Sequence, residues 1–540
     1  MASVVTRRLD YLRQNNTEGA SFISWFIRGS WIVAISAAAL QLAFWPNLAN
    51  LFAVVCALFA WKLTEAYLLR FNRLRRFALS SFLILGFSIT QYLLPLVFTL
   101  LEGKPLVYNL NLPYDVFTHS LLALFVLIFS HSVYAYSQRG RSLIRQKIQQ
   151  TLFRFSFFTP PSNRQIWIMG FLGLLSMFYV YFVSRIDENG EGGNKLLQGL
   201  MPFSYLPFFL PLKNLIDPSY KYDKKKLYQL VLYTILLFVV SLGRNSRSSF
   251  MLGFTTIGLG YFLGLMLGKF NYKILTPKSI VISIAIFWIV TGPLSDLGIA
   301  MVVERTHRGE VSSGELLVRT IATFQDKEAL RNYKLAATEK IKNTDWDERY
   351  FDNIFLSRFC NLKYNDASLE QAHKLGKIDP LMQKYAMDKV LATFPQPVLT
   401  FLNIDIDKQA ISVGSFGDYL FYRASGTAFG GFRTGQFAGV GLASFGWWYL
   451  LILGVGMGII YFLHDLFLVY KKDSFNSYIS LAGLTAITST FMFLSLSSNS
   501  QSVTNLFSYI LRGWLQLVIL YLAVYFIARK IDAGLKKLNG

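Results

Sequence analysis

The chain has 540 residues, of which 53% are hydrophobic and only 16% charged, against about 25% charged in soluble domains. With a mean hydropathy of +0.39 and apolar blocks long enough to cross about 30 Å of hydrocarbon as helices, a soluble enzyme is excluded. Lys and Arg number 53 against 31 Asp and Glu, a net charge of +22, so where the charges lie decides between nucleic acid and lipid as their partner.

From the N-terminus, about thirty polar and basic residues precede the first apolar run and read as a cytoplasmic segment (1–30), not as a cleavable signal peptide. Twelve apolar spans are predicted at about 31–45, 48–69, 77–101, 117–136, 166–184, 200–212, 227–243, 248–268, 279–303, 447–464, 478–496 and 508–528. Pro202, Pro207 and Pro211 interrupt the sixth, which is expected to be broken or re-entrant. Gly292-Pro293 is expected to kink the ninth. The chain therefore divides into 1–30, spans one to nine (31–303), a large loop (304–446), spans ten to twelve (447–528) and a basic tail (529–540). Cys56 and Cys360 make no disulfide framework.

Alternate connections hold 28 Lys and Arg, and the short loops opposite hold five: Lys104, Arg185, Lys195, Arg244 and Arg247. By the positive-inside rule both termini are cytoplasmic and 304–446 is external. That loop carries 18 basic and 17 acidic residues, so the excess charge is topogenic and faces anionic lipid. A nucleic-acid partner loses its basis. Within the loop, 325–342 and 380–393 are predicted helices, the second opening on Pro380, and the Gly- and aromatic-rich 415–446 reads as a loop folded tightly on the membrane helices.

Phosphate-loop, zinc-protease, C-x-x-C and nucleophile-elbow motifs are all missing, and five scattered histidines offer no metal site. Asp405-Ile406-Asp407 and Asp345-Trp346-Asp347-Glu348 read either as metal ligands or as solvated loop faces. More informative are charges that oppose the membrane rule. Arg244 and Arg247 lie in a short external turn between two apolar helices, and suit either bidentate binding of phosphate oxygens or snorkelling to headgroups. At the exit of span nine stand Asp296, Glu304, Arg305, His307, Arg308 and Glu310. If the helix continues, Asp296, Ala300, Glu304 and Arg308 form one stripe, with a carboxylate as general base beside an anion clamp. The alternative is a helix end crowded with interfacial charge. Lys62 and Glu65 read as an intramembrane ion pair, Arg512 as a lipid anchor, and Arg423 and Arg433, near Asp418, as closing over a substrate or solvating the loop.

These features together resemble the Wzy-type polymerases of bacterial surface polysaccharides. The likeness rests on the dozen spans, the late external loop, the turn Leu242-Gly243-Arg244-Asn245-Ser246-Arg247-Ser248, the stretch Phe394-Pro395-Gln396-Pro397, and the exit Gly435-Gln436-Phe437-Ala438-Gly439 through Ser444-Phe445-Gly446-Trp447-Trp448. Gln436 stands where members often carry an acidic residue. The resemblance implies an all-α polytopic fold, a GT-C-like bundle in the inner membrane. It implies a metal-independent transfer without cofactor, from a polyprenyl-pyrophosphate-linked oligosaccharide, with a chain-length regulator as an associated partner. The pyrophosphate would be held by Arg244, Arg247, Arg305, Arg308, Arg423 and Arg433, and the acceptor proton taken by Glu304, Asp296 or His307. An O-antigen ligase, using the same donor on a lipid A core, and a twelve-span transporter are the rivals. The transporter is disfavoured by the short connection between spans six and seven and by the external position of the long insert.

Overall fold

The computed structural model describes residues 2–138, 142–183, 192–217, 219–220, 227–243, 247–270, 276–307, 311–340, 346–426, 429, 433–471, 476–489 and 501–538. It is an all-α polytopic membrane protein with one two-stranded sheet. Among the described residues, seven helices are long and apolar enough to cross a membrane: Glu18–Phe44, Leu48–Leu68, Ala78–Leu101, Pro113–Ser137, Asn163–Val183, Phe437–Asp465 and Asn505–Leu538. Three shorter apolar helices, Leu227–Leu242, Leu252–Met266 and Phe287–Val303, accompany them.

Local chemistry sets the ends of these helices. Asn47 caps Leu48–Leu68 by accepting from Asn50 N, and Ser162 and Gln165 close a capping box at the start of Asn163–Phe178. The first span belongs to one helix, Ala2–Phe44, which runs through the segment 1–30. The sixth expected span is a 3-10 helix, Met201–Leu215. Its prolines lack the N–H that a regular ladder needs: with Pro207 unable to donate, the Ser204 carbonyl takes its hydrogen bond from the Tyr233 hydroxyl at 2.8 Å. The same hydroxyl lies 3.0 Å from the Gly170 carbonyl. A Cβ on Gly173 would stand 2.2 Å from Ser204 N, so only glycine lets the two backbones approach this closely.

Three expectations change. The ninth span breaks at Gly292 into Pro277–Thr291 and Pro293–Val303, and the second piece ends at Val303 before a 3-10 turn, Glu304–His307. The regular helix that the stripe needs therefore stops at Val303, and Arg308 lies outside the described residues. The eleventh span begins as a strand: Asn476–Ile479 pairs antiparallel with Leu468–Lys471, and Leu481–Ser489 follows, with 490–500 outside the described residues. In the hairpin Val469 stands opposite Tyr478 and Tyr470 opposite Ser477. Third, 415–446 contains two helices, Phe416–Ser425 and Phe437–Phe445. Gly446, at φ +56°, lets the second fold back, and a Cβ on Gly441 would stand 2.6 Å from Tyr449 Cβ.

Buried polar side chains join the helices. Asp465 accepts from Ser80 N at 3.2 Å, Ser80 Oγ at 2.6 Å and Tyr134 OH at 3.0 Å, and Ser80 Oγ lies 3.0 Å from His131 Nε2. Since that serine proton goes to the carboxylate, His131 donates from Nε2 and accepts from Tyr67 OH at Nδ1, 2.9 Å away. Lys62 and Glu65 form the expected pair at 2.9 Å, and Trp31 Nε1 donates to the same carboxylate.

Helix Leu362–Leu375, not singled out by its sequence, is buried on nearly every side. Its Lys363 and Asp366 pair at 2.7 Å with 2% and 0% of their side chains exposed. Asp366 also accepts from Asn111 N and Leu112 N at the start of Pro113–Ser137, while Lys363 donates to Asn109 O. Removing one partner of a buried pair costs about 3–5 kcal/mol. Asp366→Ala is accordingly expected to lower the unfolding free energy in detergent by that order, and the double variant Lys363→Met/Asp366→Leu by clearly less. Equal losses would show that the charges are not coupled.

Candidate functional site

The loop 304–446 folds as a helical layer on one end of the bundle. Helix Ser313–Gln325 packs on Pro293–Val303, on Leu227–Gly243 and on the end of Asn163–Val183. The last turn of Leu227–Gly243 and the helix Pro293–Val303 share a small apolar crevice of about 10 Å³, lined by Ser241, Leu242, Leu297, Gly298 and Met301 and closed by Phe355. The end of Leu227–Gly243, which precedes the arginine-rich turn in sequence, thus shares a crevice with the helix that carries Asp296.

Glu304 accepts a hydrogen bond from Thr323 Oγ1 at 2.6 Å, and Asp296 lies 3.7 Å from Lys327 Nζ. The His307 carbonyl accepts from Val311 N at 3.3 Å. Arg244 and Arg308 lie outside the described residues, as do the side chains of Arg247, which begins its helix, and Arg305, in the turn. Asp296 and Glu304 are thus each held by a residue of the helices that follow, Lys327 and Thr323.

Arg423 and Arg433 form a second group with their own partners. Arg423 donates to Asp379 at 2.8 and 3.1 Å, and Asp379 also caps Pro380–Leu391 by accepting from Leu381 N and Met382 N. Burial works against ionisation of Asp379, but the Arg423 guanidinium and those amides outweigh it and hold the carboxyl below its usual range. Arg433 lies 3.9 Å over the Phe421 ring and 3.6 Å from Asp418, which closes a capping box with Ser415.

Asp345 lies outside the described residues, and its neighbours diverge instead of converging on a metal. Asp347 accepts from Asn109 Nδ2 and from Arg349 N. Glu348 accepts from Trp346 Nε1 at 2.9 Å and from Thr434 N at 2.6 Å. Asp407 caps Lys408–Val413 by accepting from Ala410 N. No group of three or more metal-ligating side chains occurs among the described residues.

Glu348, read from sequence with its neighbours as a metal ligand or a solvated loop face, is held instead by Trp346 and Thr434. Its partner Thr434 precedes Gln436 by two residues, at the exit where Gln436 replaces the acidic residue of the resembled pattern. Burial raises its pKa, against the opposing pull of the Thr434 and Trp346 donors and Arg358, which is the condition of a carboxyl suited to proton transfer. The segment from Glu348 to Phe355 connects this carboxylate to the crevice, a reach of at most about 25 Å. Along the way Asp352 N and Asn353 N donate to Glu102, and Asn353 Nδ2 donates to Thr291 O.

No protein-family model, curated protein or solved structure matches the chain.

Lys389 provides a pH probe of this layer. Its ammonium donates to Gly414 O at 2.7 Å and lies 5.2 Å over the Tyr385 ring, and burial lowers its pKa to about 8. The unfolded value is about 10.4, so the native state binds fewer protons across roughly pH 8–10.4 and stability rises with pH in that window. Acylation followed by mass spectrometry is expected to reach half-maximal rate at Lys389 near pH 8. At exposed Lys384, whose pKa Asp388 raises, it should lag well above that pH. Parallel profiles would remove the desolvation argument.

Proposed function

We propose that this chain polymerises polyprenyl-pyrophosphate-linked oligosaccharide repeat units at the external face of a bacterial inner membrane. The observation that carries the reading is the meeting of two helix ends. The helix leading into Arg244–Arg247 and the helix leading into Glu304 share one crevice beneath the external layer. The chemistry needs a cationic clamp and a proton acceptor at a membrane boundary, and this pair of ends supports both. The twelve-span count, the cytoplasmic termini and a GT-C-like bundle belong to the same proposal, supported by the charge asymmetry of the connections.

In this mechanism the acceptor hydroxyl attacks the anomeric carbon of the donor glycan. The new glycosidic C–O bond forms as the bond to pyrophosphate breaks, and the electron pair leaves with the phosphate oxygen. Arg244 and Arg247, with Arg305 and Arg308 from the turn after Val303, stabilise that charge. Glu304 takes the hydroxyl proton, with Asp296 and His307 as alternates and Glu348 as the further carboxylate near the Gly-rich exit. Thr323, by donating to one Glu304 oxygen, orients the carboxylate. Arg423 and Arg433 shape the external layer through Asp379 and Asp418, and on this reading they act on substrate only if it displaces those partners.

The test uses purified lipid-linked repeat units and the full chain. Arg244→Lys and Arg247→Lys keep the charge but lose the planar fork, and are expected to cut polymer formation at unchanged protein abundance. Normal polymer from both would assign these residues to lipid headgroups. Glu304→Gln is expected to lower turnover by roughly 10²–10⁴-fold with donor binding retained. Full activity in Glu304→Gln combined with loss in Glu348→Gln would move the base to the Gly-rich exit.

Orientation has its own check. Lys384, 69% exposed, replaced by cysteine should react with an impermeant maleimide in intact spheroplasts. Protection there would place the 304–446 layer in the cytoplasm. In a deletion strain, a surface glycan capped with a single repeat supports the polymerase, and loss of every capped repeat supports a ligase.

A further inference from the structure

Helices Pro113–Ser137 and Tyr449–Asp465 cross the bundle side by side, and small residues set their approach. Ser130 donates to the Gly454 carbonyl at 2.6 Å, and a Cβ on Gly458 would stand 3.1 Å from the same Ser130 oxygen. Along this seam a groove of about 890 Å³ opens on the outer surface of the bundle. It runs from Trp447 at one end to Phe462, Gln138 and Ser142 at the other, about 22 Å along the helix axis. Val133 and Val455 in its walls are 55% and 53% exposed.

An apolar trough on the outside of membrane-crossing helices meets hydrocarbon and not water, so its occupant is a lipid chain. The polar end selects the headgroup. Tyr134, Ser137, Gln138 and Ser142 line it with hydroxyl and amide groups. Two guanidinium groups are fixed beside them by backbone carbonyls. Arg76 donates to Gln138 O, and Arg145 donates to Asp465 O at 2.9 Å and Leu468 O at 3.2 Å. The Asp465 carboxylate is fully buried behind this end and engaged with Ser80 and Tyr134, so the face offered to a ligand is cationic. The opposite end has no such charge: Trp447 stacks on His119, with ring centroids 4.8 Å apart.

We propose that this groove binds one acyl chain of an anionic glycerophospholipid, with the lipid phosphate at the Arg76 and Arg145 end. Under the topology proposed above that end faces the cytoplasmic leaflet, but the binding itself depends only on the groove and its charges, not on the polymerase reading. The lipid would wedge the two helices at a fixed separation and shield the hydroxyls at the inner end from hydrocarbon.

Native mass spectrometry of the full-length chain in detergent tests this, with equimolar phosphatidylglycerol and phosphatidylcholine offered together. Each basic residue near an anionic lipid surface contributes on the order of 1 kcal/mol. One phosphatidylglycerol is therefore expected to be retained about ten-fold or more over phosphatidylcholine. Val455→Trp and Val133→Trp fill the groove from exposed positions and should abolish the retained lipid. Arg76→Gln should lower the headgroup preference about five-fold while a chain still binds, since Arg145 keeps its share. Equal retention of the two lipids by the wild-type chain would overturn the proposal, and that comparison needs no variant to fold. Undiminished phosphatidylglycerol on Val455→Trp would also overturn it. So would complete displacement by an equimolar polyprenyl phosphate, which would give the groove to the glycan carrier.

Discussion

A carboxylate surrounded by three donors joins the two parts of this molecule: Asp366 pairs with Lys363 and accepts from Asn111 N and Leu112 N, just before the helix Pro113–Ser137 begins. Those amides precede a helix whose first turn has no internal partners for its N–H groups, and a carboxylate there also meets the positive end of the helix dipole. Lys363 closes the arrangement by donating to Asn109 O. With the pair in place, Leu362–Leu375 becomes the post on which helix Phe437–Phe445 is laid. Gly439 lets Phe437–Phe445 lie against the Ser368 backbone, and Ser368 Oγ accepts from Gln436 N.

The same principle runs through the membrane half. Hydrocarbon satisfies no polar group, so each polar side chain within the bundle has to find a protein partner. The Tyr67–His131–Ser80–Asp465–Tyr134 chain links four membrane helices and reaches the hairpin through Arg145. Tyr233 does the equivalent for the proline-broken segment by supplying the donor that Pro207 lacks. These contacts position helices that apolar packing alone would leave free to slide, because leucine gains little by exchanging lipid for another leucine.

Two groups of charge emerge in the layer formed by 304–446. One stands at the membrane boundary, where Glu304 is held by Thr323 next to the crevice shared with the helix before Arg244. The other surrounds the Gly-rich exit, where Asp379–Arg423 and Asp418–Arg433 are built into helix caps and Glu348 meets Thr434. The segment 348–355 runs between them, from Glu348 at Thr434 to Phe355 in the lining of the crevice.

Much of this was legible in the sequence. Composition and block length establish a polytopic helical protein, because about 20 apolar residues have few other soluble or membrane-bound forms. Proline and glycine at 202–211 and 292–293 foretold the broken segments, since a missing N–H or Cβ acts locally. Three features depended on tertiary structure instead. The hairpin at 468–479 is held by cross-strand pairing that an apolar run conceals. The helix Leu362–Leu375 is polar in composition yet buried, because its charges are satisfied by partners about 250 residues away, a pairing no local pattern records. Glu348 reads as one of several acidic loop residues until folding places it against Thr434, 86 positions further on. Backbone hydrogen bonding and span length act over a few residues and are written in order along the chain. The partners of buried charges are chosen only when distant segments meet.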